Sequence, residues 1–167
     1  MNGLSDISED ADLRRVFGRF PTGVTALCGM EGGKPIGMTA SAFTAISLQP
    51  ALVSVCIKQG SATWRQLRAR QRIGISFLGD GHAAAARQLA QRSDNRFSGL
   101  DYEVTPDGAL FLANATAWLD CSVETEIAAG DHDIVLFRLH RAGVAEGVMP
   151  LVFHSSDFHA LTPIGQA

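Results

Sequence analysis

The chain has 167 residues, 46% of them hydrophobic and 19% charged, which is ample for a buried core and excludes a disordered or low-complexity polypeptide. Fourteen basic against seventeen acidic residues give a formal net charge of −3, the wrong sign for a protein that grips nucleic acid. Asp6, Glu9, Asp10 and Asp12 crowd the first fifteen residues, where a secretion signal needs a basic start and an apolar run, so no targeting segment is read there.

The first expected element is a helix, because Leu13, Val16, Phe17 and Phe20 fall at i, i+3, i+4 and i+7 on one apolar stripe. Ser8 is its candidate N-cap. Glu9, Asp10 and Asp12 sit at its positive end, with Arg14, Arg15 and Arg19 toward the other, and Pro21-Thr22-Gly23 stops it. The period then changes to two. Val24, Ala26 and Cys28 alternate with Thr25 and Leu27, Glu31-Gly32-Gly33 turns the chain, and a second strand ends near Gly37-Met38. Residues 51–57 read as a near-continuous apolar strand. The wider stretch 40–57 is the most apolar of the chain. It still holds Ser41, Thr44, Ser47, Gln49, Pro50 and Ser54, too many polar groups for a membrane span.

Ser61 can cap a helix over 62–70 that carries Trp64 and Leu67. Ile73, Ile75 and Phe77 alternate with Gly74 and Ser76, and Asp80 or Gly81 opens an alanine-rich helix over 83–92. Residues 93–108 are the one long loop-like segment. Two more alternating runs follow, Ala117, Leu119, Cys121 and Val123, then Val135, Phe137 and Leu139. Strands dominate and the helices fall between hairpins. The expected fold is therefore mainly β: an antiparallel sheet with one buried face, rolled into a closed or partly closed β-barrel with flanking helices. One domain spans 1–167, with a folded core over about 8–162.

Cys28, Cys56 and Cys121 are far apart and lack any CxxC spacing, so they read as small buried hydrophobes in a reducing cytoplasm. His82, His132, His140, His154 and His159 show no metal-ligand spacing, and no metal is expected. Three runs can carry other chemistry. Gly37-Met38-Thr39-Ala40-Ser41-Ala42-Phe43-Thr44 is small and hydroxyl-rich: it lets a ligand approach the backbone, or serves as an ordinary polar connection. In Cys56-Ile57-Lys58-Gln59-Gly60-Ser61-Ala62-Thr63-Trp64 a strand gives way to a helix start, which suits a phosphate beside Lys58 or is a capped helix with a solvated lysine. Gly130-Asp131-His132 is a turn whose imidazole either hangs in solvent or meets a ligand.

Taken in order, these segments resemble the short-chain flavin reductases, the reductase components of two-component flavin-dependent monooxygenases. The resemblance runs from Phe20-Pro21-Thr22-Gly23-Val24-Thr25 through Gly37-Met38-Thr39-Ala40-Ser41-Ala42-Phe43 and Ser47-Leu48-Gln49-Pro50-Ala51-Leu52-Val53. It continues in Asn95-Arg96-Phe97-Ser98-Gly99, Ala117-Trp118-Leu119-Asp120-Cys121, Gly130-Asp131-His132 and Pro150-Leu151-Val152-Phe153-His154. What it implies is an FMN-binding split β-barrel, a cytoplasmic homodimer that reduces free FMN or FAD with NADH or NADPH and supplies a partner monooxygenase. By the same resemblance Met38, Thr39, Ala40, Ser41 and Ala42 hold the flavin ring and ribityl chain. Cys56, Ile57 and Lys58 with Ser61, Ala62 and Thr63 take the phosphate side, and Gln88 and Leu89 touch the flavin. His132 is the catalytic candidate, orienting the nicotinamide together with Phe153, His154, Ser155 and Ser156. Neither nucleic acid nor membrane is an expected partner. A flavin carrier on the same barrel, without reductase turnover, is the competing reading.

Overall fold

The computed structural model describes Asp6 and residues 9–165; Ser8, the candidate N-cap, lies outside the described residues. In chain order the elements are α1 (Asp10–Phe17), β1 (Thr22–Gly23), β2 (Thr25–Glu31), β3 (Lys34–Ala40), β4 (Phe43–Leu48), β5 (Ala51–Lys58), α2 (Ala62–Leu67) and β6 (Ile73–Phe77). A 3-10 turn (Asp80–His82) then leads into α3 (Ala83–Ala90), followed by β7 (Tyr102–Val104), β8 (Leu110–Leu112), β9 (Ala117–Ala129), β10 (His132–Val144), β11 (Leu151–His154) and β12 (Asp157–Ala160).

Seven strands form one antiparallel sheet in the order β3-β2-β6-β9-β10-β5-β4. Its two outermost strands, β3 and β4, are consecutive in sequence and separated only by Ser41 and Ala42. Three Cα steps reach about 11 Å at most, so the sheet has to roll until its margins meet at that point. Ala42 extends the β4–β5 ladder, its carbonyl accepting from Cys56 N–H at 3.3 Å, and the roll brings the Phe43 ring of β4 edge to face against Phe77 of β6, centroids 4.7 Å apart. The mainly β, antiparallel architecture with flanking helices is the one the periodicity predicts. Among the described residues no helix is long and apolar enough to cross a membrane.

The expectation of a single buried face fails at β2 and β6, for a reason visible in the packing. Leu27, Ile73 and Ile75 point into the roll with Val55, Val135 and Phe137, while Trp64 and Leu67 of α2 join the same cluster. Ala26 and Cys28, on the other face of β2, meet a second core built from Leu89 of α3, Phe97, and Leu110 and Leu112 of β8. Residues 93–108 are thus less of a free loop than expected, since Phe97 is buried and β7 pairs with β8. At Gly74 the β8 backbone comes so close that a Cβ would stand 2.1 Å from the Leu110 carbonyl oxygen.

Four other expectations need correction. β3 runs on to Ala40, and β4 was not anticipated, because an edge strand with exposed Thr44, Ala45 and Ile46 has no buried face to impose alternation. The helices at 62–70 and 83–92 stop earlier, at Leu67 and Ala90. Cys28 and Cys121 are buried but Cys56 is exposed, on the outward side of β5. Finally, α1 ends at Phe17, short of Phe20, and only Leu13 of the expected stripe is half-buried: among the described residues Val16 is 59%, Phe17 68% and Phe20 76% exposed.

Candidate functional site

The seam where β3 meets β4 is a natural place for a ligand. Ser41 and Ala42 are exposed, and neither backbone N–H finds a partner among the described residues. Their small side chains leave those donors accessible. Met38, Thr39 and Ala40 approach the seam half-buried at the end of β3, where Thr25 Oγ1 donates to the Ala40 carbonyl at 2.9 Å. Beside the seam lies a cavity of about 300 Å3 lined by Ser41, Phe43 and Phe77 on one side and by Thr22, Pro150 and Leu151 on the other. The Thr22 hydroxyl is buried there and unpartnered among the described residues. An orphaned hydroxyl next to free backbone donors fits a flat, polar-edged ring, which is what the resemblance asks of this segment.

From the seam, β5 leads to the histidine turn. Cys56, bonded to Ala42, faces outward, as does Lys58 two residues on, about 7 Å along the strand. The β5–β10 register sets His132 opposite Lys58 and Ile134 opposite Cys56, so all four share one face. The turn is tied down by Gln59, the residue after β5. Gln59 N–H donates to the Asp131 carbonyl at 3.0 Å, and Gln59 Nε2 donates to Asp133 Oδ1 at 2.9 Å. His132 Nδ1 lies 2.8 Å from Asp131 Oδ1, and this bond, with the charge of the imidazole, holds the Asp131 carboxyl below the usual aspartate range. Nδ1 is thereby engaged and Nε2 is the nitrogen left for a ligand. Ile57 is 1% exposed and can offer a ligand only its backbone.

The expected phosphate side is narrower than its sequence suggests. Ser61 Oγ accepts from Trp64 N–H at 3.2 Å, capping a helix of only six residues, and Ala62 is exposed. Thr63 is held by a residue to which sequence reasoning gave no role: Arg96 Nη1 donates to Thr63 Oγ1 and to the Gly37 carbonyl, each at 3.0 Å. Phe97 follows directly and packs where a Gly37 side chain would be, 2.7 Å from its Cβ position. Gln88 supports this loop, its Nε2 donating to the carbonyls of Arg96 (3.1 Å) and Ser98 (2.8 Å). Leu89 is 1% exposed within the second core, so its side chain presents nothing to a ligand.

Phe153 and His154 lie in a separate sheet ordered β1-β11-β12, and Ser155 and Ser156 form the turn between β11 and β12. Ser155 N–H donates to the Gly18 carbonyl at 2.8 Å, tying the hairpin to the end of α1, and Phe153 packs against Phe158 with centroids 5.4 Å apart. His154 stacks edge-on to His159 at 5.9 Å. No hydrogen bond among the described residues joins this hairpin to His132. The two groups reach the seam by separate routes, His132 through β5 and β11 through the Thr22 cavity.

A family model described as the flavin reductase like domain matches residues 17–162. The chain belongs to that family. This flavin reductase family member is 38% identical over 165 residues to an NADH-dependent FAD reductase of Streptomyces globisporus, covering 96% of this chain and 90% of the relative. Its fold superposes with a TM-score of 0.89 on the Streptomyces globisporus C-1027 NADH:FAD oxidoreductase SgcE6 in complex with NAD and FAD fragments, at 34% identity over 98% of this chain and 99% of that one. A second structure, BorF, the flavin reductase component of a bacterial two-component tryptophan halogenase, matches at TM-score 0.83 and 30% identity, covering 93% and 99% of the two chains. Two relatives from Rhizobium meliloti (strain 1021), a probable flavin reductase and the stachydrine N-demethylase reductase subunit Stc3, are longer. The chain spans only 44% and 59% of their lengths, at 33% and 32% identity.

Proposed function

We propose that the protein is an NAD(P)H:flavin oxidoreductase that reduces free FMN or FAD and passes the reduced flavin to a separate monooxygenase. The observation that carries this reading is the continuity of one outward face from the seam to the histidine turn, with N–H donors at Ser41 and Ala42 that are unpartnered among the described residues and an oriented imidazole at His132. Bound flavin and nicotinamide bring the reactive atoms themselves, a hydride passing from nicotinamide C4 to flavin N5. The chain's task is to hold two flat rings about 3–3.5 Å apart in register. The seam donors fix the flavin ring, with Met38, Thr39 and Ala40 along its side chain. Lys58 and Thr63 take the phosphate. His132 directs Nε2 toward the nicotinamide, which Phe153, His154, Ser155 and Ser156 flank from the opposite side of the seam. No nucleophile or general acid is assigned. The sequence offers no arginine constellation for a 2′-phosphate, which favours NADH.

The same reading makes the protein a single cytoplasmic domain that works as a homodimer. The names of its relatives, an FAD reductase and a halogenase's reductase component, support a flavin-supplying role. Anaerobic mixing of the protein with excess FMN or FAD and NADH tests it: catalytic bleaching of the flavin's visible absorbance is expected. Tight flavin binding without bleaching by NADH or NADPH would make the protein a flavin carrier, and failure of both would overturn the proposal. In His132→Ala, kcat/KM for NADH should fall about tenfold or more, roughly 1.4 kcal/mol of transition-state stabilisation, with flavin affinity retained. Unchanged rates would remove His132 from the reaction.

A further inference from the structure

We propose that the slot between the β7–β8 hairpin and the outer face of β9–β10 is a second small-molecule site, made for a zwitterionic aromatic ligand with the chemistry of an aromatic amino acid. Two adjoining cavities of about 250 and 540 Å3 lie there and share Glu103, Phe111 and Trp118. Strand register builds both walls. Glu103 stands opposite Phe111 on one face of the hairpin. On β9–β10, Trp118 stands opposite Gly143 and Asp120 opposite Arg141. Leu119 and Cys121 take the other face of β9 into the core, so Trp118 and Asp120 look outward. Neither cavity shares a lining residue with the one beside the seam, and Arg141 lies nine residues along β10 from His132, a span of up to about 30 Å.

The slot holds two unlike charges beside aromatic rings. Asp120 is 2% exposed; its Oδ2 accepts from Arg141 Nε at 2.8 Å and lies 2.6 Å from Nη2, while Arg72 Nη1 stands 3.5 Å from Oδ1. Two guanidinium groups on one buried carboxylate leave a positive charge to spare. Arg141 carries it outward, and its Nη1 has no partner among the described residues. Asp107, the other acid beside it, comes no nearer than 3.9 Å to Nη2. Glu103 is the counterpart: exposed on the same slot, it forms no ion pair among the described residues, with Arg141 or with any other group. Opposite charges that line one slot without reaching each other match a ligand that carries both, its carboxylate at Arg141 and its ammonium at Glu103. The rings supply the rest. Trp118 spends its sole donor on the Leu112 carbonyl at 2.7 Å, which fixes the indole as an apolar wall with Phe111. Gly143 leaves that indole uncovered, for a Cβ there would already touch Trp118 Cε3 at 3.5 Å.

The experiment titrates the full chain with L-phenylalanine and L-tryptophan by calorimetry, using phenylpropionate and phenethylamine as probes that each lack one charge. Saturable binding of an amino acid is expected, with either single-charge probe about tenfold weaker. Glu103→Gln should weaken the amino acid about tenfold and leave phenylpropionate within about twofold, because only the ammonium loses its partner. Gly143→Val should abolish binding while the thermal midpoint stays put, since its Cβ falls at ordinary contact distance. Absence of saturable binding by both amino acids overturns the proposal, as does binding that neither variant changes. Phenylpropionate binding as tightly as phenylalanine would overturn it too, making the slot a site for aromatic acids without a role for Glu103. So would displacement of the amino acid by FMN, FAD or NADH, which would place it at the seam. The readout is binding alone, so the outcome does not depend on whether the protein reduces flavin.

Discussion

A Cβ on Gly74 would meet a backbone oxygen, and a backbone oxygen cannot swing aside without parting β8 from β6. Gly74→Ala should therefore cost about 3 kcal/mol or more, read as a lowered urea midpoint at unchanged slope. At Gly37 the obstacles are the Cys28 thiol at 2.6 Å and the Phe97 ring at 2.7 Å, which can yield, so the same substitution should cost about 1–3 kcal/mol. Both of those glycines are plain in the sequence, but the reason for them is not: Phe97 and Leu110 come from distant parts of the chain. Arg96 and Thr22 were missed on the same ground, for Arg96 reaches Thr63 and Gly37 across 33 and 59 positions. Cysteine chemistry follows burial. The Cys28 and Cys121 thiols are pushed up to about 12 by desolvation, while Cys56 is open to solvent. One thiol should react with Ellman's reagent in the native protein and three in urea; three fast thiols in the native state would contradict the packing. At the histidine turn, the lowered Asp131 carboxyl keeps its bond to His132 above the ordinary aspartate pKa and loses it only as pH falls through the depressed value. The acid limb that this pair imposes on NADH affinity should lie below the usual aspartate range. Asp131→Ala should raise the NADH KM several-fold with flavin affinity unchanged, which steady-state kinetics against pH would show.

The β11–β12 hairpin closes through Ser155 and Ser156, with φ of 50° and 68°. Two residues with positive φ suit Asn-Gly, and a serine in that region costs about 1 kcal/mol. Ser156→Gly should then raise stability by about that amount in thermal unfolding. If the hydroxyl also serves the nicotinamide, the NADH KM will rise in the same variant; a gain in stability alone would free Ser156 of that role. Such a turn is hard to read from sequence, because Ser-Ser carries no hairpin signal. β4 was hidden for the complementary reason, being exposed at the sheet margin. By contrast β6, β9 and β10 were legible, since each sends alternate residues such as Ile75, Leu119 and Val135 into the roll. The seam could be read as a small, hydroxyl-rich run, but that it joins the two margins of one sheet depends on strand order, which periodicity does not encode.

For the whole molecule, Val16 and Phe17 of α1, Phe20 just beyond it and Leu48 at the end of β4, 92% exposed, are large apolar side chains open to solvent among the described residues. A homodimer would cover them. Light scattering should find a dimer that Phe17→Asp or Leu48→Asp shifts toward monomer, and a wild-type monomer at micromolar concentration would exclude this role. The seam has one more consequence. Every strand pairing of the seven-stranded sheet would survive a single cut between Ser41 and Ala42, yet the cut would remove the only direct covalent tie between its first and last strands. The nicked protein should keep its β-sheet circular dichroism and lose its flavin affinity, so that limited proteolysis at one exposed peptide bond would uncouple folding from function.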